Sequence, residues 1–334
     1  IALEFSFDAR ELTGKQVVVF ERLYWKDTEA AVHTDLEDEG QTVEFPVPEI
    51  GTKAENPLNH GQEAAAGENT VLIDTVNYEN LIPGQEYTLK GILMEKAAEK
   101  ELKIQGKTIT AEKSFTPKEA SGTVEMEFVF DASSLTGTSL VVFERLYVEQ
   151  TEVAAHADLQ DQGQTILFPK PEIRTNARDH ETGKQEAAAK KKTVLTDTVQ
   201  YENLAVGTEY TVKGVLMDQE TGKELQAGDS FVTAEKKFTA KEKTGQVELD
   251  FSFDTRGLEG KRLVVFERLY VGKNLVASHT DLQDEAQTVF IKEKETVPQT
   301  GDPAPIEKIF LSIFLSGMIL LTAGKKNAKR KKDT

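Results

Sequence analysis

Hydrophobic and polar residues alternate along many short stretches of the chain, as they do in strands with one buried face. Residues 41–45 and 124–130 alternate most clearly, and segments at 71–78, 86–94, 108–115, 140–147 and 153–159 also predict strands. Pro83-Gly84 and Ser121-Gly122 are typical turn sequences. About eight strands in roughly 115 residues predict an all-β fold of immunoglobulin-like sandwiches. Gln-Glu-Ala-Ala-Ala, at 62–66 and 185–189, favours a helix and is interpreted as a loop turn.

The strand pattern repeats at a spacing of 123 residues. Closely similar 21-residue segments ending in V-V-F-E-R-L-Y begin at Glu4, Glu127 and Asp250. This periodicity divides the chain into the C-terminal part of one repeat (1–46), two complete repeats (47–169 and 170–292) and a different C-terminal segment (293–334). A sequence that begins inside a repeat is expected to be part of a longer array.

Composition and charge exclude several classes of function. The 334 residues include 40 basic and 57 acidic side chains, for a net charge of −17. Seven basic and three acidic residues lie from Gly301 onward, so residues 1–300 carry −21. This acidic body argues against binding to nucleic acid, which needs a basic surface. Because the chain has no cysteine, disulfides, thiolate catalysis and cysteine-ligated metal sites are excluded.

A polar motif, H-x-D-L-x-D-x-x-Q-T, recurs in register in all three repeats. Residues i and i+2 of a strand share a face, so Gln164 lies on the same face as Ile166 and Phe168 and should point into the core. Parity also predicts an inward threonine in I-x-T-x-A and an inward glutamate in V-F-E-R-L. The candidate residues in the two complete repeats are Thr52, Glu144, His156, Asp161 and Gln164, and Thr175, Glu267, His279, Asp284 and Gln287.

Buried polar side chains need partners, because each unpaired group costs about 1–3 kcal/mol. The residues alone leave three explanations open. The first is a closed hydrogen-bond network. The second is a Ca²⁺ site built from Asp158, Asp161 and Glu144, although so few acidic residues make a poor oxygen cage. The third is a covalent crosslink between side chains.

The motifs H-x-D-x-x-D-x-x-Q-T, I-x-T-x-A and V-V-F-E resemble those of the T-Q ester-bond domains in VaFE-repeat surface proteins of Gram-positive bacteria. The resemblance covers about 290 residues. It implies a sandwich in which a threonine on the first strand is joined by an ester to a glutamine on the last. By position, the implied esters are Thr52–Gln164 and Thr175–Gln287. The partial repeat keeps an orphan half-site of Glu21, His33, Asp38 and Gln41.

The implied chemistry is autocatalytic and single-turnover, so the chain is not expected to be an enzyme and no cofactor is expected. His156 or His279 is predicted to take the proton of the threonine hydroxyl. Glu144 and Asp161 (with Glu267 and Asp284 in the second repeat) are predicted to share a proton and donate it to the amide oxygen. A Lys–Asn isopeptide bond is disfavoured, because parity places Lys53 outward and Thr52 inward.

The C-terminal segment carries three elements in order. These are Val-Pro-Gln-Thr-Gly at 297–301, an apolar run at 309–323 and a basic tail at 325–334. Together they resemble an LPxTG-type sorting signal with valine in the first position. The resemblance implies that a sortase cleaves between Thr300 and Gly301 and joins Thr300 to an amine of peptidoglycan or a pilin. The run is short for a bilayer span, which usually takes about 20 residues. An ordinary tail-anchored membrane protein is the alternative, since the length of the run does not exclude it.

These observations predict the wall-anchored stalk of an adhesin or pilus-like protein on the surface of a Gram-positive bacterium. A host surface ligand would be bound by a region N-terminal to this sequence. Two alternatives are kept. In one, the repeats themselves bind a host or matrix ligand, although the loop at 97–106 shows no aromatic cluster. The other, a secreted hydrolase using the Thr/His/Asp set, lacks a G-x-S-x-G or zincin motif.

Overall fold

The computed structural model describes residues 1–293, and nearly all of their regular structure is β-strand. Two short 3-10 turns lie at Arg10–Leu12 and Glu39–Gln41. The all-β prediction is confirmed for this part of the chain. The predicted apolar helix at 309–323 lies outside the described residues. Within residues 1–293, no helix is long and apolar enough to cross a bilayer.

The strands follow the sequence repeat. Those of the partial repeat are β1 (Gln16–Val18), β2 (Glu21–Trp25), β3 (Thr28–His33) and β4 (Thr42–Glu44). Those of the first complete repeat are β5 (Glu49–Glu55), β6 (Thr70–Glu79), β7 (Tyr87–Glu95), β8 (Lys100–Glu101), β9 (Lys103–Ile104), β10 (Lys107–Thr108), β11 (Thr110–Phe115), β12 (Gly122–Phe130), β13 (Ser139–Val148), β14 (Thr151–His156) and β15 (Thr165–Leu167). Those of the second are β16 (Glu172–Asp179), β17 (Glu186–Ala188), β18 (Thr193–Glu202), β19 (Glu209–Asp218), β20 (Lys223–Glu224), β21 (Gln226–Ala227), β22 (Ser230–Phe231), β23 (Thr233–Thr239), β24 (Gly245–Phe253), β25 (Arg262–Val271), β26 (Asn274–His279) and β27 (Thr288–Lys292).

Each complete repeat is built mainly from two sheets. In residues 47–169 one sheet has the order β5-β6-β12, and the other has β11-β7-β13-β14 with β15 paired to β13. In residues 170–292 the orders are β16-β18-β24 and β17-β27-β25-β19-β20, with β23 paired to β19 and β26 to β25. Every second residue of β6 and β12 is buried, and buried apolar side chains of both sheets form one main core cluster in each repeat. The first strand of each repeat is therefore at the edge of one sheet, and the last strand belongs to the other.

The strand predicted at 153–159 ends earlier, at His156. The chain turns after it because Asp158 accepts a hydrogen bond from the Gln160 amide (2.8 Å) and Asp161 accepts one from the Gly163 amide (2.6 Å). Aspartates that bind backbone two residues ahead favour turns over strands. The strand predicted at 41–45 likewise begins with a 3-10 turn and is a strand only from Thr42 to Glu44.

The interpretation of Gln-Glu-Ala-Ala-Ala as a loop turn is wrong for the second repeat. There Glu186–Ala188 is a strand that pairs in parallel with β27. In the first repeat only Glu63 forms such a bridge, to Leu167. Ala187 is buried, so pairing and burial decide the conformation over helix propensity.

The two complete repeats contact each other through side chains that the repeats do not share. Asn274 donates to the backbone carbonyls of Ala66 (2.8 Å) and Ser133 (3.1 Å). Lys243 forms an ion pair with Glu63 at 2.7 Å. The residues equivalent to Asn274 and Lys243 in the first complete repeat are a threonine and an alanine. This junction is therefore specific to this pair of repeats.

Gly91 lies directly opposite Glu144 in the register of β7 and β13. A Cβ at this position would lie 2.6 Å from Cε of Met126 and 2.7 Å from Cζ of Phe128. The missing side chain thus leaves room for two apolar side chains beside a buried carboxyl. Gly214, opposite Glu267, is crowded in the same way by Leu249 and Phe251.

We expect Gly91→Ala to destabilise the repeat 47–169 by about 1–3 kcal/mol, because the added methyl overpacks the core. Gly51→Ala is the matched control, since a Cβ there meets no atom within 4 Å. Both are compared by urea unfolding in a Thr52→Ala chain, so that a Thr52–Gln164 bond cannot obscure the difference. Equal stability of the two variants would contradict the packing described.

Candidate crosslinking site

The predicted threonine, glutamate and glutamine of the first complete repeat meet between its two sheets. Thr52 lies on the edge strand β5, Glu144 in the middle of β13, and Gln164 immediately before β15. The Thr52 hydroxyl donates to Oε2 of Glu144 at 3.2 Å. Nε2 of Gln164 contacts both Oγ1 of Thr52 and the same Oε2 of Glu144. A nucleophile, an amide and a carboxyl therefore converge although Thr52 and Gln164 are 112 positions apart.

The second complete repeat reproduces this arrangement. The Thr175 hydroxyl donates to Oε2 of Glu267 at 3.2 Å. Nε2 of Gln287 lies 2.5 Å from Oγ1 of Thr175 and also contacts Oε2 of Glu267. The glutamates and glutamines of both repeats are completely buried, which confirms the strand-parity prediction. Thr175 is buried, whereas Thr52 is half-buried.

A second carboxyl faces each glutamate, and the sequence analysis missed it. Asp74 on β6 is fully buried, and its position pairs with Ala54, two residues after Thr52. Asp197 is its equivalent in the second repeat. The signal was available, because Asp74 lies between Leu72 and Val76 on the inward face of β6 and recurs at the 123-residue spacing.

Burial and mutual repulsion favour retention of a proton by each pair. Burial, then the nearby charge of Asp74, raises the pKa of Glu144 to about 10. Burial raises the pKa of Asp74 to about 6. In the second repeat the same causes raise the pKa of Glu267 to about 11 and that of Asp197 to about 6. At neutral pH these shifts favour one retained proton in each carboxyl pair.

The pattern of hydrogen bonds places this proton. Oε2 of Glu144 receives the contacts from Thr52 and Gln164, so it acts as an acceptor. Oε1 of Glu144 and both carboxyl oxygens of Asp74 are buried and have no other hydrogen-bond partner. A proton on Oε1 shared with Asp74 satisfies both groups.

The predicted pairing of Glu144 with Asp161 is wrong. Asp161 instead contacts Nε2 of His156 at 2.7 Å, and its hydrogen bond with His156 lowers its pKa. Both side chains are about one-quarter exposed, at the edge of the site. His279 and Asp284 form the same contact at 2.9 Å. Asp161 contacts His156 and not Glu144 because it lies only five residues after His156, in the turn that follows β14. This turn brings Asp161 back to the histidine at the edge of the site.

The histidine ring is not hydrogen-bonded to the threonine. Nδ1 of His156 lies 3.4 Å from the carbonyl oxygen of Ile50, and Nε2 faces Asp161. The role of His156 and His279 as base therefore stays a prediction. The predicted hydrogen bond from a carboxyl to the amide oxygen is also not seen, because Oε1 of Gln164 is buried without a partner.

The orphan half-site in residues 1–46 has the same local geometry. His33 contacts Asp38 at 2.7 Å, and Nε2 of Gln41 contacts Oε2 of Glu21. No threonine among the described residues occupies the place that Thr52 has in the next repeat.

Within residues 1–293, no group of three or more His, Asp or Glu side chains is arranged to hold a metal ion. Thr300 and Gly301 of the predicted sorting signal lie outside the described residues.

The carboxyl pairs predict how stability depends on pH in a chain that cannot crosslink, Thr52→Ala/Thr175→Ala. Glu144 is protonated in the folded state up to a pKa of about 10 but ionises near 4.5 when unfolded. Its protonation therefore favours folding at low pH, and stability falls as the pH rises from 5 to 9, by at most about 1.4 kcal/mol per pH unit for each such carboxyl. Urea unfolding at pH 5, 7 and 9 measures the slope.

Glu144→Gln in the same background is the control, because it removes the titrating group while keeping its size. We expect this change to flatten the slope of the repeat 47–169 and to leave that of 170–292. A slope that is the same with and without Glu144 would contradict the buried, protonated state.

Among solved structures, two crystal forms of a bacterial adhesin from Mobiluncus mulieris containing intramolecular disulfide, isopeptide and ester bond cross-links are 16% identical. Their TM-scores are 0.33 and 0.32, over 69% of this chain and 83% of that one. A putative β-galactosidase from Bacteroides fragilis is 10% identical, with a TM-score of 0.26 over 70% of this chain and 40% of that one. Comparison with curated proteins finds no match.

The family comparison covers all three repeats. A model described as the T-Q ester bond containing domain matches residues 1–45, 48–168 and 171–291. These ranges include every threonine, glutamate and glutamine of the two sites described above. The chain belongs to the family of T-Q ester bond containing domains.

Proposed function

We propose that each complete repeat joins its own threonine to its own glutamine by an ester, at Thr52–Gln164 and Thr175–Gln287. The observation that carries this proposal is the buried contact of the hydroxyl and the amide with one oxygen of a protonated carboxyl. Folding holds the two reacting groups together, and such proximity lowers barriers by up to about 7–11 kcal/mol.

The reaction is an acyl transfer with a defined balance of atoms. Oγ1 of Thr52 attacks Cδ of Gln164, a C–O bond forms, and the C–N bond breaks. Nε2 leaves with the hydroxyl proton as ammonia, so each ester removes about 17 Da. No external reactant is required, and each site reacts once.

The carboxyl pair is suited to carry the proton between the two groups. Oε2 of Glu144 accepts the proton from Thr52 while the proton on Oε1 moves to Asp74. The pair then returns to its starting state as Oε2 gives a proton to the departing nitrogen of Gln164. Because Oε2 contacts both reacting groups, a single carboxyl oxygen can take the proton from Oγ1 and deliver it to Nε2. The His156–Asp161 pair lies at the edge of the site, where it holds the turn before Gln164.

An ester at this position would join the first and last strands of a repeat. A pulling force applied to the ends would then act on the ester and not on the chain between Thr52 and Gln164, which are 112 positions apart. If a crosslink acts by lowering the entropy of the unfolded chain, one that closes about 100 residues stabilises the folded repeat by roughly 4–5 kcal/mol. The chain has no cysteine, so disulfides cannot supply this stability.

We propose that the repeats form the stalk of an adhesin or pilus-like protein on a Gram-positive cell surface. The support is the repeat array together with the Val-Pro-Gln-Thr-Gly, apolar and basic elements in sequence order. In this proposal a sortase cleaves after Thr300 and transfers it to a peptidoglycan or pilin amine. The specific junction between the repeats would limit bending along the stalk.

Proteolysis followed by mass spectrometry locates the proposed bonds. We expect one joined peptide pair containing Thr52 and Gln164, and a second containing Thr175 and Gln287. Thr52→Ala should remove the first pair and leave the second, because each site is complete within its repeat. Hydroxylamine should separate joined peptides, since it cleaves esters and not isopeptide bonds. Joined peptides that resist hydroxylamine would contradict the ester.

Substitutions around the site distinguish the two candidates for proton transfer. We expect Glu144→Gln to slow formation of the Thr52–Gln164 bond by about 10²–10⁴-fold, the usual range for loss of a general acid–base group. His156→Gln should slow it less, because the ring does not contact the hydroxyl. The rate is measured from joined peptides over time, with Thr175–Gln287 as the internal control. The opposite order would assign proton transfer to the histidine.

A further inference from the structure

The segment Gln-Glu-Ala-Ala-Ala lies beside the strand that follows each reactive glutamine, and the proposed chemistry gives it no role. In the second repeat it forms β17, which pairs in parallel with β27. In the first, the amide of Ala64 donates to the carbonyl of Leu167 (3.0 Å), and the amide of Leu167 donates to the carbonyl of Gln62 (2.9 Å). The segment thus brings its first side chain, a glutamine, next to the turn before the last strand.

The side chain of Gln185 reaches three backbone carbonyls of that turn. Its Nε2 lies within hydrogen-bond distance of the carbonyl oxygens of Glu285 (2.5 Å), Ala286 (3.0 Å) and Thr288 (3.2 Å), so its two N–H groups are shared among three acceptors. These residues flank Gln287 on both sides. In the first repeat, Nε2 of Gln62 contacts the carbonyl of Gln162, two residues before Gln164.

Converging carbonyl oxygens repel one another unless a donor lies between them. The amide of Gln185 supplies this donor, and it comes from a segment about 100 residues away in sequence. The carbonyl of Ala286 also accepts the amide of Ala177 at 3.0 Å, on the strand that carries Thr175. The same turn is therefore fixed both to the threonine strand and to Gln185.

The backbone of Gln287 is held from its other side as well. Its carbonyl accepts the amide of Val265 at 3.2 Å, two residues before Glu267 on β25. With its neighbours fixed by Gln185, the glutamine side chain has little freedom except to face Thr175 and Glu267. A misplacement of about 1 Å in such an arrangement can cost as much as 10²-fold in rate.

We propose that Gln185 and Gln62 are positioning residues that set the rate of ester formation. Gln185 holds the backbone on both sides of Gln287, and Gln62 holds it before Gln164. This inference rests on the proposed ester chemistry. The side chains of Gln185 and Gln62 contact backbone carbonyls and touch no reacting atom. Gln185, with three carbonyl contacts, exerts the larger effect on its site.

Two substitutions in the full chain separate hydrogen bonding from shape. Gln185→Glu keeps the size of the side chain but removes both donors, and Gln185→Lys changes the shape but restores N–H donors. We expect Gln185→Glu to slow formation of the Thr175–Gln287 bond by roughly tenfold to a hundredfold. With Gln185→Lys, the rate of bond formation should stay within about threefold of that of the unsubstituted chain, because the lysine side chain again supplies N–H donors to these carbonyl groups.

The rates are obtained by cell-free synthesis stopped at a fixed time, with samples denatured at intervals and digested for mass spectrometry. The Thr52–Gln164 bond of the same molecule is the internal control and should form at an unchanged rate. Urea unfolding of each variant in a Thr175→Ala background measures the effect on folding alone. Gln185→Glu should slow formation of the Thr175–Gln287 bond far more than its effect on the free energy of unfolding can explain.

Equal rates for the glutamate and lysine variants, whether both fast or both slow, would overturn the positioning role. Failure of the underlying ester proposal gives a different result, because the unsubstituted chain would then yield no joined peptides at either site.

Discussion

The site depends on one constraint, the retention of a proton that burial favours in the Glu144–Asp74 pair. Two carboxyls with no other partner for three of their oxygens cannot both be charged there, and neither can leave because both lie on central strands. The shared proton leaves Oε2 of Glu144 free to accept hydrogen bonds from the hydroxyl and the amide. The apolar surroundings that keep the proton are provided in part by Gly91, whose missing side chain lets Met126 and Phe128 approach.

Much of the fold could be predicted from the chain itself. Strand parity correctly predicted that Gln164 and Glu144 are buried, because alternation along a strand is a local property of the sequence. Strand ends were predicted less well. The segment 153–159 stops at His156, since aspartate side chains capture the following backbone amides. The Ala-rich segment was misinterpreted because its conformation depends on pairing with the last strand, about 100 residues away in sequence.

The partners within the site were harder to predict than its members. Asp161 was assigned to Glu144 because both are acidic and recur in register, yet Asp161 lies in a turn that brings it back to His156. Asp74 carries the same parity signal as Gln164 but is far from the other motifs in sequence. Its proximity to Glu144 depends on how the two sheets face each other, which alternation along single strands does not specify.

A bond between the first and last strands would make each repeat a closed loop, so that its resistance to force would no longer depend on the sum of weak contacts in its core. The intact mass of the full chain, measured under denaturing conditions, tests this most directly. The account predicts a mass about 34 Da below that of the sequence, one ammonia lost at each of the two complete sites. A mass equal to that of the sequence would contradict it.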